Sequence, residues 1–309
     1  MDIAVECTNI SKCYKDVQAL KGINLSVPRG EIFGIIGPDG AGKTSLFRIL
    51  TTLILADEGS ASVDGFDVVT NYLDIRKRVG YMPGRFSLYQ DLTVEENLSF
   101  FATVFNTTVK ENYDLIKDIY QQIEPFKDRR AGKLSGGMKQ KLALSCALIH
   151  RPSVLFLDEP TTGVDPVSRK EFWGMLKNLQ KQNITIVVST PYMDEASLCD
   201  RIALIQNGKF LTIDSPQGII DRYPDKLLAI SSDNMQKLLL DLRHNELTKN
   251  CFAFGNEHHI TIKTDHSILS LDELIEQTEK LLLEKGHSGL SIKVIKPTIE
   301  DCFMQLSQK

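Results

Sequence analysis

The chain has 309 residues, 42% hydrophobic and 25% charged, which is more than one ordinary domain needs and enough apolar material for a true core. A formal net charge of −4 gives no basic surface for nucleic acid, and the six cysteines include no C-x-x-C pair, so they read as buried or free thiols in a reducing compartment. The N-terminal residues lack a basic-then-apolar signal pattern and runs such as Ile184 to Val188 fall far short of the ~20 residues that span a bilayer, so any membrane role is expected to pass through a partner.

Residues 3–30 read as short strands around a turn, with Ile23, Leu25 and Val27 alternating before Pro28-Arg29-Gly30 turns the chain. The apolar segment Ile32 to Ile36 reads as a strand and residues 43–53 as a helix. Between them lies Gly37-Pro38-Asp39-Gly40-Ala41-Gly42-Lys43-Thr44, followed by Ser45. A glycine, four residues, then Gly-Lys and Ser/Thr, set between a strand and a helix, is the phosphate-loop pattern. Its glycines let the backbone curl so that N–H groups point at a polyphosphate, and the helix dipole favours the same negative charge. Lys43 is expected to reach the terminal phosphates and the Thr44 hydroxyl to bind Mg²⁺.

Turn signals follow at Asp57-Glu58-Gly59-Ser60 and Asp64-Gly65, then a short helix over 71–78 and a strand Val79-Gly80-Tyr81-Met82. From Thr93 to Ile149 the text is largely helical, opened by a hydroxyl with an acidic residue three places later (Thr93, Glu96) and broken by Pro125. Within it, Leu134-Ser135-Gly136-Gly137-Met138 opens a helix and makes a second candidate anion site, although a plain Gly-Gly turn reads equally well. Next comes the strand Ser153 to Leu157, ending in Asp158-Glu159-Pro160. Paired carboxylates there lie at the sheet edge where α/β folds place ligands. Asp158 is expected to hold Mg²⁺ through water and Glu159 to polarise an attacking water, with a helix cap as the plainer reading. Helix 166–181 and strand Ile184 to Ser189 complete an alternation that argues a parallel sheet covered on both faces.

After Asp214 to Pro224 the texture changes. The order strand (Leu227–Ser231), helix (Asn234–Arg243), strand (Cys251–Gly255), strand (His259–Thr264), helix (Ser270–Gly286), strand (Leu290–Ile295) matches a small α+β domain of the split βαβ kind. A last helix, Thr298 to Leu306, opens on Thr298 with Asp301 three residues on.

With the phosphate loop, the Ser-Gly-Gly turn and the carboxylate pair in this order, the chain resembles the nucleotide-binding subunit of an ABC transporter, most closely the drug-exporter type with a C-terminal appendage. The likeness is close over residues 3–213 and looser in the appendage, where it rests on Pro297 to Phe303. It implies an α/β P-loop NTPase cassette over residues 1–222, with a parallel-sheet core, a small antiparallel β subdomain and a helical insert at about 85–150, followed by an α+β appendage over 223–309. It implies that Gly37 to Thr44 is the Walker A loop, Leu134 through Ser135, Gly136, Gly137, Met138 and Lys139 to Gln140 the signature, Val154 to Glu159 the Walker B strand, and Asp165 part of the D-loop. Tyr14 stands where the family stacks an aromatic ring on adenine, and an exposed strand tyrosine is the plainer reading. The likeness also implies ATP and Mg²⁺ as cofactors, and a second ATP-binding subunit whose site the signature completes. A membrane-spanning permease would hold the chain on the inner face of the cell membrane, and no nucleic acid partner is implied.

Two positions depart sharply from the family. Gly84 stands where a Gln usually touches Mg²⁺ and the water, and Pro191 where a His usually contacts the γ-phosphate. A third, milder change is Asp39, where Asn is commoner; it adds negative charge beside the loop at a position that is not a phosphate ligand in the family. These departures imply a slow site in an unequal pair; the alternatives are an active homodimer carrying compensating residues and a non-hydrolysing, nucleotide-gated structural subunit of an asymmetric pair.

The remaining features read more plainly. Arg85, Phe86, Leu88 and Tyr89 are either contacts for a helix of the membrane subunit or ordinary core packing. Phe100, Phe101 and Phe105 are expected in the core, His258-His259 in a polar turn, and Arg129-Arg130 and Lys139-Gln140-Lys141 on solvated faces.

Overall fold

Short apolar runs form the centre of the larger sheet. Every residue of β3 (Ile32–Ile36), β7 (Val154–Asp158) and β8 (Thr185–Thr190) is buried. Strands covered on both faces carry continuous rather than alternating apolar residues, and these do. β3, β8, β7 and β6 (Val79–Met82) pair side by side in parallel. On the other edge of β3, β9 (Arg201–Gln206) pairs in parallel, and β10 (Lys209–Asp214) follows antiparallel. This computed structural model describes residues 2–262 and 271–308 and divides into two compact units, one up to Gly218 and one from Ile219.

The first unit also holds an antiparallel sheet of β1 (Ile3–Tyr14), β2 (Val17–Pro28), β4 (Glu58–Val63) and β5 (Phe66–Asp67), in the order β2-β1-β4-β5. β1 and β2 are 12 residues each, longer than the short strands expected over 3–30. Asp64 (φ 54°) and Gly65 (φ 82°) form the left-handed two-residue turn between β4 and β5 that hairpins favour. The same chemistry joins β9 to β10 at Asn207 (φ 49°) and Gly208 (φ 79°), a hairpin absent from the sequence reading although its Asn-Gly signal is present.

Helix α1 (Lys43–Leu50) packs Phe47 edge-on against Phe156 of β7, ring centres 5.5 Å apart. A short α2 (Tyr72–Arg78) leads into β6. The helical insert contains α3 (Val94–Val104), α4 (Tyr113–Tyr120) and α5 (Gly136–Leu148), and α6 (Pro166–Lys181) follows β7. Thr93 and Glu96 close a capping box at the start of α3. The face of α3 that is buried carries Val94, Asn97, Leu98 and Ala102. Phe100, expected in the core, is therefore 38% exposed and sits edge-on to Tyr89 at 4.9 Å, while Phe101 and Phe105 are half-buried. Lys141, expected on a solvated face, is largely covered and pairs with Glu171 of α6 at 2.9 Å. α7 (Pro216–Asp221) contains the division between the units.

The second unit runs β11 (Leu227–Ser231), α8 (Met235–Arg243), β12 (Thr248–Phe254), β13 (Glu257–Ile262), α9 (Leu271–Glu284), β14 (Ser291–Ile295), α10 (Ile299–Leu306). Its antiparallel sheet has the order β12-β13-β11-β14, and Leu228, Ile230, Leu238, Leu242, Ile260 and Leu282 share one core. The expected strand end at Thr264 and helix start at Ser270 lie outside the described residues. His258 and His259 are not in a polar turn. Both are buried within β13, His258 bonded through Nε2 to the Met235 carbonyl (2.8 Å) and His259 through Nδ1 to Asp301 (2.7 Å). Polar rings tolerate burial there because distant elements supply their partners.

Glu31, just before β3, carries a further consequence. Burial pushes its carboxyl up to about 7, opposed by Arg201 at 3.5 Å and reinforced by Asp200. The folded chain keeps this proton to higher pH than the unfolded chain, so the group's contribution to stability is present at low pH and lost as pH rises through about 7. Glu31→Gln should therefore melt about 2–4 °C above the parent at pH 8, the equivalent of roughly 1 kcal/mol, and show no gain at pH 4.5. Calorimetric melting at both pH values checks this, and an equal gain at both would exclude ionisation as the cause.

Candidate nucleotide site

Four neighbouring strands, β3, β8, β7 and β6, end at one edge of the parallel sheet and deliver Gly37, Pro191, the Asp158–Glu159 pair and Gly84. Parallel sheets place ligands beyond these carboxyl ends. The loop after β3 is shaped by its glycines. Gly40 (φ 77°) and Gly42 (φ 108°) are left-handed, and a Cβ at Gly42 would stand 2.4 Å from the Ala19 carbonyl oxygen. At Gly37 a Cβ would stand 2.2 Å from the Ile205 carbonyl oxygen, so no larger residue fits. Pro38, Asp39 and Gly40 form the exposed tip, Ala41 is buried, and Thr44 and Ser45 are half-buried. Helix α1 has neither a side-chain cap nor an acidic residue in its first turn. Helices α3, α5 and α6, in contrast, are capped by Thr93, Ser135 and Asp165. The uncapped amides of α1 are suited to an anion.

Lys43 is only 3% exposed. Its ammonium donates to the carbonyl oxygens of Gly37 (2.8 Å) and Pro38 (3.0 Å), pairs with Glu159 at 3.1 Å and lies 3.9 Å from Asp39. The cation is thus held over the loop by two neutral carbonyls and one carboxylate.

Asp158 is 2% exposed and accepts a hydrogen bond from Ser189 Oγ at 2.6 Å. Glu159 is left-handed (φ 51°), and its N–H meets both the carbonyl and the hydroxyl oxygen of Ser189, at 3.0 and 3.1 Å. Thr44 and Asp158 offer the oxygen donors that a hard divalent cation takes. A Cβ at Gly84 would stand 3.0 Å from the Asp158 carbonyl oxygen, so the segment after β6 passes directly beside the carboxylate strand. Pro191 follows Thr190, whose hydroxyl donates to buried Glu195 (2.6 Å) and accepts the Tyr192 N–H (3.1 Å). The Arg169 guanidinium covers the Tyr192 ring at 4.3 Å. The turn is held firmly, yet proline brings no donor to it.

The residues expected to form the signature make a second cluster. Leu134 is buried, Ser135 and Gly136 are exposed, and Gly137, Met138, Lys139 and Gln140 are half-buried. Ser135 caps α5 by accepting the Met138 N–H at 3.3 Å. This turn packs on the segment from Gly163 to Ser168: a Cβ at Gly137 would meet Ser168 Oγ at 2.9 Å, and one at Gly136 would lie 3.7 Å from the Gly163 carbonyl oxygen. Asp165 caps α6 by accepting the N–H groups of Ser168 (3.0 Å) and Val167 (3.1 Å), and those bonds hold its carboxyl below the usual range. Tyr14, at the end of β1, is 41% exposed, with the Lys12 ammonium 5.8 Å from its ring centre. Its hairpin touches the phosphate loop through Ala19.

Sequence reasoning assigned no role to Ser189, Glu195 or Arg169. For Ser189 a signal existed, a polar residue finishing the apolar run Ile184 to Val188 opposite a strand that ends in Asp158.

Comparison with known proteins identifies the family. The ABC transporter family model matches residues 20–162. The chain is 38% identical over 231 residues to "Probable multidrug ABC transporter ATP-binding protein YbhF" of Escherichia coli (strain K12), covering 72% of this chain and 40% of that one. It is 32% identical over 309 residues to the Nod factor export ATP-binding protein I of Sinorhizobium fredii, covering 99% of this chain and 86% of the relative. Among solved structures, cbiO1 from Clostridium perfringens, part of the ABC transporter complex cbiONQ, matches with TM-score 0.64 at 27% identity, covering 72% of this chain and 92% of that one. The dimeric post-hydrolysis state of the ATP-binding cassette MJ0796, bound to ADP and Pi, matches with TM-score 0.62 at 26% identity, covering 68% and 98%. With Lys43 after β3 paired to Glu159 after β7 at the carboxyl edge of one parallel sheet, and a relative this similar along almost the whole of this chain, the chain belongs to the ATP-binding proteins of ABC transporters.

Proposed function

We propose that this chain is the ATP-binding subunit of an exporter, in which it binds Mg-ATP on Gly37 to Ser45 and turns it over slowly. Glu159 polarises the attacking water, Asp158 and Thr44 hold Mg²⁺, and Tyr14 stacks on the adenine. The exposed Ser135-Gly136 turn completes the site of a second ATP-binding subunit, and the Asp165 segment stands beside that junction. A membrane-spanning permease takes up the motion, and the export role rests on the multidrug and Nod factor relatives. Among the described residues no helix is long and apolar enough to cross a membrane. The permease is assigned to the groove lined by Arg85, Phe86, Phe101 and Phe105.

The observation that carries the slow site is the pair of missing donors around an otherwise complete lysine–carboxylate cluster. Losing a group that positions or moves a proton costs ~10²–10⁴ in rate. From an ordinary turnover of ~10 s⁻¹, this predicts about 10⁻¹ to 10⁻³ s⁻¹ for the chain alone. Mixing with a partner subunit is expected to raise turnover, because the intact signature then serves a competent site. Phosphate release by the purified chain, alone and mixed, is the test. Turnover near 10 s⁻¹ by the chain alone, abolished by Glu159→Gln, would defeat the slow-site reading.

A further inference from the structure

One hydroxyl connects the two acidic residues of the site. Ser189 lies in parallel register with Asp158 and is fully buried. A serine hydroxyl has one hydrogen to give, and here it goes to Asp158 Oδ1 at 2.6 Å. The serine Oγ in turn accepts the Glu159 N–H at 3.1 Å, and the Ser189 carbonyl shares that N–H at 3.0 Å. Two consequences follow. One carboxylate oxygen of Asp158 is engaged, which fixes the orientation of the group and of its second oxygen. Glu159 is anchored in a left-handed conformation that residues other than glycine seldom adopt, and from it the carboxylate reaches Lys43 at 3.1 Å.

We propose that Ser189 is a positioning residue for the metal half of Mg-ATP: it sets the Asp158 carboxylate for the hydrated cation and ties Glu159 to the same point. The assignment rests on the nucleotide reading above. A serine that merely satisfied a buried strand end would affect stability and leave metal dependence untouched. A positioning serine affects metal dependence selectively, since partners that orient ligating groups typically set metal affinity by 10–100-fold.

The test is the affinity of the full chain for ATP, by calorimetric titration with Mg²⁺ and again with EDTA. The parent is expected to bind ATP more tightly with Mg²⁺. Ser189→Ala should cut that Mg²⁺-dependent gain by about 10-fold and leave the EDTA affinity within about twofold. Ser189→Thr, which keeps the hydroxyl, should restore the gain. Should Ser189→Ala not fold, Ser189→Cys, a poor donor of similar size, carries the same comparison. A parent-like Mg²⁺ gain in the hydroxyl-less variant, or equal losses with and without Mg²⁺, overturns the assignment alone. A parent chain that binds no ATP overturns the nucleotide reading and takes this inference with it.

Discussion

Gly84→Gln combined with Pro191→His is expected to raise ATP turnover at this chain's own site by about 10²-fold, a barrier lowered by about 3 kcal/mol. The residues to which the proposal gives the remaining roles are already close together: the Lys43 ammonium is buried, Glu159 stands 3.1 Å from it, and Asp158 accepts a hydrogen bond from Ser189. On the slow-site reading proposed above, what is missing is an amide beside Asp158 and an imidazole at the end of β8. Backbone conformation admits the first, because Gly84 is not left-handed, although its added Cβ would stand 3.0 Å from the Asp158 carbonyl oxygen and requires the segment after β6 to give by a few tenths of an ångström. The second sits on a turn already fixed by Thr190, Glu195 and the Arg169–Tyr192 stack, so the new ring starts from an ordered backbone. Groups that act on one water are not additive, so each single replacement should give only a fraction of the combined gain. Phosphate release at saturating Mg-ATP measures the effect. Unchanged turnover in a double variant that still binds ATP would show that these two positions do not limit the reaction.

Lys43→Ala is expected to weaken ATP binding at least about 100-fold, equivalent to about 2.7 kcal/mol. The lysine is the cation at the centre of the loop, and its bonds to phosphate would be charge-assisted in a buried setting, where they count for more. Its removal also strands Glu159, which then faces incoming phosphates as an unbalanced negative charge. Arginine should not rescue the site, because its planar fork cannot reproduce a compact ammonium between the Gly37 and Pro38 carbonyls at 2.8 and 3.0 Å. Displacement of a fluorescent ATP analogue reads the affinity, with melting temperature as the check on folding. Affinity within threefold of the parent would remove the phosphate loop from the account.

Much of this was legible along the chain, wherever the cause is local. Helix 166–181 follows from Pro166 at its first turn and apolar spacing behind it, and the structure places α6 on the same residues. The Thr93–Glu96 and Thr298–Asp301 capping boxes close as their spacing implies. The left-handed loop after β3 was readable because its glycines act within one turn of backbone. The alternation of apolar strands and helices pointed to a parallel sheet covered on both faces.

Other features depended on partners remote in sequence. Buried His258 and His259 looked like turn residues because their partners, Met235 and Asp301, lie on other elements. Phe100 looked like core because its apolar character is visible, whereas the face that α3 turns inward is set by packing and carries Asn97 instead. Strand order β3-β8-β7-β6 is not chain order, yet it alone brings Lys43 to Glu159, Ser189 to Asp158 and Gly84 to the carboxylate strand. The amino-acid sequence by itself determined which chemical groups are available, since loop shape and helix caps arise from backbone preferences over a few residues. Only the tertiary structure decided which of them meet, since contact across a sheet depends on pairing register between strands far apart along the chain.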